Sequence, residues 1–313
     1  MTVSKRVDKM NKFEIIGKLN AFLLSLVNIG KVYGLWKVAK VCVFIALQYV
    51  VGPPHKEMTI TTKYGYKMHL IPQDRGISTE LRLFKVHEPL ATKIVMKELK
   101  DGKTIVDVGS NIGYYAIFES ILLGRKSKVI AIEPIQRNFQ YLLRNIAINR
   151  LNNVKPINMA LSDEAGVVKM VRCEGSNWSH VLDNENQTTF KTEEVVATTG
   201  DKLLESINEI GLIRLDVEGH EYHIIRGCCT VLRKWYPDVL IEVHPSLLGG
   251  ERLVCLLRMF RDFGYNIKHF IPRNVDVPLA ACDDDITRMD INELISYPIF
   301  WNFMLFLRHS SKL

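Results

Sequence analysis

Acidic residues stand at the ends of apolar runs in this chain. Asp107 lies near the end of the run Thr104–Val108, Glu133 directly follows Lys128–Ile132, Asp216 closes Leu212–Asp216, and Glu242 falls near the end of Val239–Val243. A further run extends from Val154 to Met159. Continuous apolar runs of this length, separated by helical stretches, imply a parallel sheet covered on both faces. Such sheets bind ligands beyond the carboxyl ends of their strands, so these acids are expected on one rim. The first run leads into Asp107-Val108-Gly109-Ser110-Asn111-Ile112-Gly113-Tyr114-Tyr115. Gly109 and Gly113 remove side chains where backbone must approach a ligand at a helix N-terminus. Their G-x-x-x-G spacing is not the G-x-G-x-x-G that admits a pyrophosphate. Asp107 is also a poor neighbour for phosphate and a suitable one for a cation or an ammonium group.

Glu133 is placed to accept both hydroxyls of a ribose. A nucleoside joined to an amino acid with a positive centre meets all three features, and S-adenosylmethionine is such a molecule. Its sulfonium is a good leaving group, so alignment with an acceptor is the main requirement. A hydroxyl acceptor also benefits from a base, and histidine is the usual one near neutral pH. His180, His220 and His244 lie close to strand ends. His244 follows a strand terminus on the ligand side and is the preferred base, with Asp216 as its carboxylate partner or as the alternative base. A divalent ion on Asp216 and Glu242 is another way to activate a hydroxyl. Nothing in the spacing demands it, and no metal is expected.

The composition is that of a globular protein, 47% hydrophobic and 24% charged over 313 residues, which excludes disorder, collagen and a disulfide scaffold. The six cysteines include no C-x-x-C pair, so zinc and thioredoxin chemistry lack their spacing and a reducing compartment is the natural setting. The formal charge is +7. Residues 1–60 hold nine bases against three acids, so the body is nearly neutral and a nucleic-acid surface is not expected. The segment from Phe13 to Val51 is apolar, with Lys18, Lys31, Lys37 and Lys40. Its uncharged runs, Leu19–Gly30 and Val41–Val51, fall short of the roughly 18 to 20 residues of a membrane span, and no small-x-small cleavage site follows the first. Two readings stay open for residues 13–51: helices lying on an anionic membrane surface, or helices packed on the body or in an oligomer contact. After Pro53-Pro54, alternation over residues 58–71 around Tyr64-Gly65-Tyr66 predicts a β-hairpin. Residues 78–99 then read as one helix, stopped by Asp101-Gly102. The sequons at Asn177 and Asn186 and the Asp283-Asp284-Asp285 run are read as chance triplets and a solvated turn.

In order, TIVDVGSNIGYY, AIEPIQRNFQYLLRN, INMALSDEAG, IRLDVEGHEYHIIRG and VLIEVHP resemble the FkbM family of S-adenosylmethionine-dependent methyltransferases, which mostly methylate hydroxyl oxygens on sugars and other natural products. The resemblance covers about Lys67 to Leu307. Asp216-Val217-Glu218-Gly219-His220-Glu221, followed by Glu242-Val243-His244-Pro245, is its most specific part. It implies an α/β, Rossmann-like class I methyltransferase fold with a seven-stranded, mostly parallel sheet and an antiparallel last strand over residues 299–306. It also implies that Asp107, Gly109, Ser110, Asn111 and Gly113 cradle the methionine part, that Glu133 takes the ribose, and that Met159, Ala160 and Asp163 lie by the adenine. Asp216 and Glu218 then sit beside the sulfonium and the acceptor, a catalytic set of Asp216, Glu218 and His244. The plain structural alternatives are helix packing for the glycines and N-terminal capping for Glu218 and Glu221.

The expected organisation is a basic amphipathic helical extension over 1–54, a hairpin and helical lead-in over 55–100 and the S-adenosylmethionine domain over 101–313. The expected acceptor is a hydroxyl of a glycan, glycolipid or natural product. A nitrogen or RNA acceptor, or a non-catalytic membrane-associated protein of the same fold, are the alternatives. The expected location is the cytoplasm or the periphery of a membrane, and an oligomer is compatible with the sequence.

Overall fold

Leu35–Val51 carries no acid and no proline, and it forms helix α1 in the computed structural model, which describes residues 34–100, 102–172, 180–181, 191–299 and 301–312. The stretch Phe13–Tyr33 and the sequons at Asn177 and Asn186 lie outside the described residues. Gly52-Pro53-Pro54 ends α1. The expected hairpin follows as β1 (Met58–Thr61) and β2 (Lys67–Leu70). The single helix expected over 78–99 is instead two, α2 (Ile77–Phe84) and α3 (Pro89–Glu98). Pro89 cannot continue a helix and disfavours helical backbone at the residue before it, and Lys85 and Glu88 take φ values of 61° and 44°. The break turns Glu88 into the interior, where it is 1% exposed.

The body alternates strands and helices: β3 (Thr104–Val108), α4 (Tyr114–Leu123), β4 (Lys128–Ile132), α5 (Gln136–Ile148) and β5 (Val154–Ile157). The run expected to stay in one strand to Met159 bends away at Asn158, whose amide donates to the carbonyls of Glu133 and Pro134 at 2.8 and 2.9 Å. Four strands form a second sheet that sequence reasoning missed: β6 (Ala160–Ser162), β7 (Gly166–Arg172), β8 (His180–Val181) and β9 (Lys191–Thr199). Then come α6 (Gly200–Leu203), β10 (Ile210–Leu215), α7 (Glu221–Arg226), α8 (Cys229–Trp235), β11 (Asp238–Val243), α9 (Pro245–Leu248), α10 (Gly250–Asp262), β12 (Tyr265–Pro272), α11 (Ile291–Ser296) and β13 (Phe303–His309).

The main sheet has seven strands in the order β12-β13-β11-β10-β3-β4-β5. All its pairings are parallel except those of β13, which runs antiparallel to both neighbours. Successive side chains of a strand point to opposite faces, and each face has its own core. Val106, Ile130, Ile213 and Ile241 pack with α7, α8, α10 and α11, while Ile105, Val129, Leu212 and Leu240 pack with the hairpin and α2 to α5. Asn145 fastens α5 to the hairpin by exchanging hydrogen bonds with the His69 backbone, while its Nδ2 also donates to the Ile112 carbonyl at 2.9 Å. The strand order reverses between β3 and β10, which puts the ligand crevice at their carboxyl ends.

Helix α1 meets the body along one side. Lys37 Nζ lies 2.5 Å from Asp285 Oδ2 and donates to the Ala280 carbonyl at 2.7 Å, Val41 packs with Val275 and Ala280, and Phe44 stacks on Phe84. Lys37, expected among headgroups or at a helix edge, is thereby buried. Among the described residues no helix is long and apolar enough to cross a membrane.

Candidate active site

A cleft of about 610 Å³, counted to its open mouth, lies over the ends of β4, β3 and β10. One wall is apolar, built from Ile135, Met159, Ala160, Leu161 and Met170. Ala160 and Met170 come from the second sheet, which gives that sheet its place in the site. Glu133, 4% exposed, forms part of the floor. Its Oε2 accepts from the Asn111 amide at 2.8 Å and its Oε1 from the Ile135 amide at 3.0 Å. Burial pushes this carboxyl up to about 7 against the pull of those amides. The Gly109 amide donates to the Ile132 carbonyl at 2.9 Å. A methyl on Gly109 would stand 1.9 Å from the Asp216 carbonyl oxygen, so the missing side chain lets the loop after β3 touch the loop after β10.

Asp216 and Glu218 line the far end of the cleft. Beneath Asp216, Arg214 is 4% exposed, with Nη2 at 3.1 Å from Asp216 Oδ2 and Nη1 at 3.1 Å from Asp107 Oδ1. Its guanidinium stacks on the Tyr115 ring, and the Tyr115 hydroxyl donates to Glu88 Oε2 at 2.9 Å. Arg273 joins Glu88 Oε1 at 2.7 Å to Glu242 Oε1 at 3.0 Å. Burial and then the Glu242 charge raise Asp216 to about 6, with Arg214 opposing them. Burial lifts Glu218 to about 8, restrained by His244 and aided by Glu242. Burial alone would lower the neighbouring His87, yet Glu88 and Glu80 outweigh it and hold the imidazole at about 10.

His244 is 1% exposed. Its Nδ1 is 2.6 Å from Glu221 Oε1, and its Nε2 is 3.3 Å from both Glu218 Oε2 and Glu242 Oε1. Burial disfavours the charged ring, but Glu242 and Glu218 prevail and push it well above its ordinary value. An imidazolium with both nitrogens facing carboxylates has no lone pair for an acceptor proton, so the free base expected at His244 gives way to a fixed cation. Two sets of donors, Asp216/Glu218/His244 and Glu88/Asp216/Glu242, approach within 4.8 Å. A protein cation already stands among the carboxylates of each, His244 in the first and Arg214 and Arg273 in the second.

The family model described as the methyltransferase FkbM domain matches residues 107–267, slightly more than half of the chain. The chain belongs to the FkbM methyltransferase family. Hexuronic acid methyltransferase AglP of Haloferax volcanii is 28% identical over 158 residues, covering 50% of this chain and 62% of that protein. The chain therefore spans less than two thirds of that relative's length. The 31-O-demethyl-FK506 methyltransferase FkbM of Streptomyces tacrolimicus is 27% identical over 191 residues, covering 51% of this chain and 73% of that protein. A solved structure, methyltransferase FkbM from Methylobacillus flagellatus, is similar at a TM-score of 0.43 with 15% identity over 67% of this chain and 44% of that one.

Of the residues expected in the site, this FkbM domain brings Gly109, Asn111, Glu133, Met159, Ala160, Asp216 and Glu218 to the cleft lining. Five others lie elsewhere. Asp107 is fully buried below, on Arg214. Ser110 Oγ closes the turn by donating to the Asp107 carbonyl at 2.8 Å. Gly113, at φ 91°, leaves room for Leu142 Cδ1, 2.6 Å from where a Cβ would stand, so its role is helix packing. Asp163 is taken up by His223 and Arg226 at 3.1 and 3.0 Å rather than by the cleft. The fifth is His244. His220 lines the cleft with Nε2 at 3.0 Å from Ser162 Oγ, and the side chain of His180 lies outside the described residues. Arg214, Glu88, Arg273, Asn138 and Met170 were missed. Only Arg214 left a signal, as a lone cation inside an apolar strand, where burial requires paired charge.

Proposed function

We propose that the protein transfers a methyl group from S-adenosylmethionine to a hydroxyl oxygen of a glycan, a glycolipid or a small natural product. The observation that carries this reading is the single cleft joining an apolar slot, a buried carboxylate at its middle and two carboxyl groups with raised pKa values at its far end. The slot of Ile135, Met159, Leu161 and Met170 suits the flat adenine. Glu133 keeps lone pairs beyond those its amide partners use and can accept the ribose hydroxyls. Asn111 Oδ1 is buried without a partner among the described residues and fits a donor such as the ammonium of the methionine part. Asp216 fits the sulfonium's positive charge.

S-adenosylmethionine supplies a methyl group on a sulfonium that leaves without further activation. The residues must then exclude misaligned approaches and accept a proton. Asp216 Oδ2 is fixed by Arg214, which leaves Oδ1 to take the proton of the acceptor hydroxyl. Glu218, held protonated toward pH 8, offers the acceptor a donor. The names of two relatives, one for a hexuronic acid and one for a 31-O-demethyl compound, support an oxygen-rich acceptor. The peripheral membrane location rests on the exposed face of α1. Incubation with S-adenosylmethionine and panels of uronic-acid oligosaccharides and glycolipids, read by mass spectrometry, tests the reading. A single added methyl on oxygen is expected. Absence of transfer together with absence of S-adenosylmethionine binding would overturn it.

A further inference from the structure

We propose that the outer face of α1 docks on an anionic membrane surface and that the acceptor is an amphiphile presented from that surface. The second half of this proposal rests on the methyl-transfer reading above; the first half does not.

Helix α1 is apolar apart from Lys37, Lys40 and Gln48, so most of its surface calls for cover. The body covers only the side of Lys37, Val41 and Phe44. On the opposite side Leu35 is 83% exposed, Trp36 75%, Val43 51% and Val50 81%, and no charge interrupts them. At about 1.5 Å per residue the helix is roughly 25 Å long, enough to lie flat in an interface. Trp36 and Tyr49, whose rings combine an apolar body with a polar edge, stand near its two ends, and Lys40 Nζ lies 5.9 Å from the Trp36 ring centre. Amphipathic side chains of this kind favour the headgroup level of a bilayer.

Charge decides the occupant. Residues 1–33, which lead into α1, carry six bases against two acids and include the uncharged run Leu19–Gly30. A basic, apolar approach to an apolar face complements anionic lipid, where each base near the surface contributes favourably. Neither feature is needed by a second copy of this same basic chain.

The docked face and the acceptor end of the cleft share one base. Helix α1 stacks on α2 through Phe44 and Phe84 and packs on Val275 and Ala280. That segment directly follows Arg273, which bridges Glu88 to Glu242. Asp276 accepts from the amides of Leu90 and Ala91 at 2.7 and 3.2 Å and so fixes the start of α3 just after Glu88. The segments under α1 thus also hold Glu88 and Arg273, the partners of the carboxylates around Asp216, and a hydroxyl borne on a lipid headgroup is the acceptor we assign to this arrangement.

Sedimentation of the full chain with vesicles of phosphatidylcholine alone, or with about 30% phosphatidylserine, tests the docking. Binding is expected only with the anionic vesicles and should weaken as salt rises. V43E/V50E, placed on the exposed face, should lower partitioning by about tenfold or more while melting temperature and calorimetric binding of S-adenosylhomocysteine stay unchanged. Absence of binding to either vesicle at low salt overturns the proposal, as does unchanged binding of V43E/V50E. A dimer in vesicle-free solution that this variant dissociates also overturns it, by showing that a second copy covers the face. If deletion of residues 1–33 makes a non-binding chain aggregate, that segment is the cover. For the acceptor, V43E/V50E should lower kcat/KM about tenfold on a vesicle-borne glycolipid and leave it unchanged on the same headgroup in soluble form. Equal loss on both refutes the presentation. A chain that docks but binds no S-adenosylhomocysteine refutes the methyl-transfer reading instead.

Discussion

At the scale of single residues, His244 separates two accounts of the chemistry. As a fixed imidazolium among Glu218, Glu221 and Glu242, it lowers the cost of burying carboxylates next to the acceptor. Its removal leaves those carboxylates facing one another, so His244→Ala should destabilise the fold by about 3 to 5 kcal/mol, read by denaturant unfolding. In the fraction that folds, loss of the positive charge raises Asp216 and Glu218 further, and the acidic limb of the turnover profile should move to higher pH. In the native protein the base is active when Asp216 is ionised, so turnover should rise as pH passes about 6 and fall where Glu218 loses its proton near 8. A histidine base would instead make the acidic limb its own titration, so that His244→Ala loses the limb altogether and turns over slowly at every pH. Arg214 acts through Asp216 and is a positioning residue. Arg214→Met should lower kcat more than it raises KM and shift the acidic limb upward, because the guanidinium opposes the rise of Asp216; an unmoved limb would remove it from this role.

At the scale of elements, the two glycines of the loop after β3 make separable predictions. Gly113→Ala presses on Leu142 and forces a side chain onto φ 91°, so stability should fall by about 1 to 3 kcal/mol with cofactor affinity kept. Gly109→Ala would strike the Asp216 carbonyl and displace the loop that carries Asp216, so affinity and turnover should both fall; calorimetry and melting curves on the pair distinguish the two. Sequence alone located β3, β4 and β11 closely, because a doubly covered strand must be apolar on both faces and acids mark its ends. It did not reveal the second sheet, since β6 and β8 have three and two residues and their pairing is with distant segments. Nor did it reveal Glu88, which reaches the site only because Pro89 splits a helix. Of the cleft lining, Gly109, Glu133 and Asp216 were legible from their places at strand ends, Asn111, Met159, Ala160 and Glu218 came from the family resemblance, and Ile135, Leu161 and Met170 left no mark. The roles of Asp107, Asp163 and His244 were not, because partners such as Arg214, His223 and Glu221 come from other parts of the fold.

At the scale of the whole molecule, buried protons link folding to ligand binding. Glu133 and Asp276 at about 7, Glu218 at about 8 and His87 at about 10 all hold protons in the folded state that an unfolded chain would release at lower pH. Each such group stabilises the fold below its unfolded pKa and loses that contribution as pH rises through its folded value. Without ligand, melting temperature should therefore be highest on the acid side of neutrality and decline between pH 6 and 9; a flat or rising curve would contradict the buried-proton account. Ligand binding has the opposite sign at Glu133, which must ionise to accept ribose hydroxyls. The most direct measurement of the central claim is thus calorimetric titration of S-adenosylhomocysteine into the native protein and Glu133→Gln between pH 6 and 8.5. The account predicts one site, an affinity that strengthens as pH rises through about 7, and a loss of about 1 to 3 kcal/mol with no such pH dependence in the variant. No binding to the native protein, or equal affinity in Glu133→Gln at every pH, would contradict it.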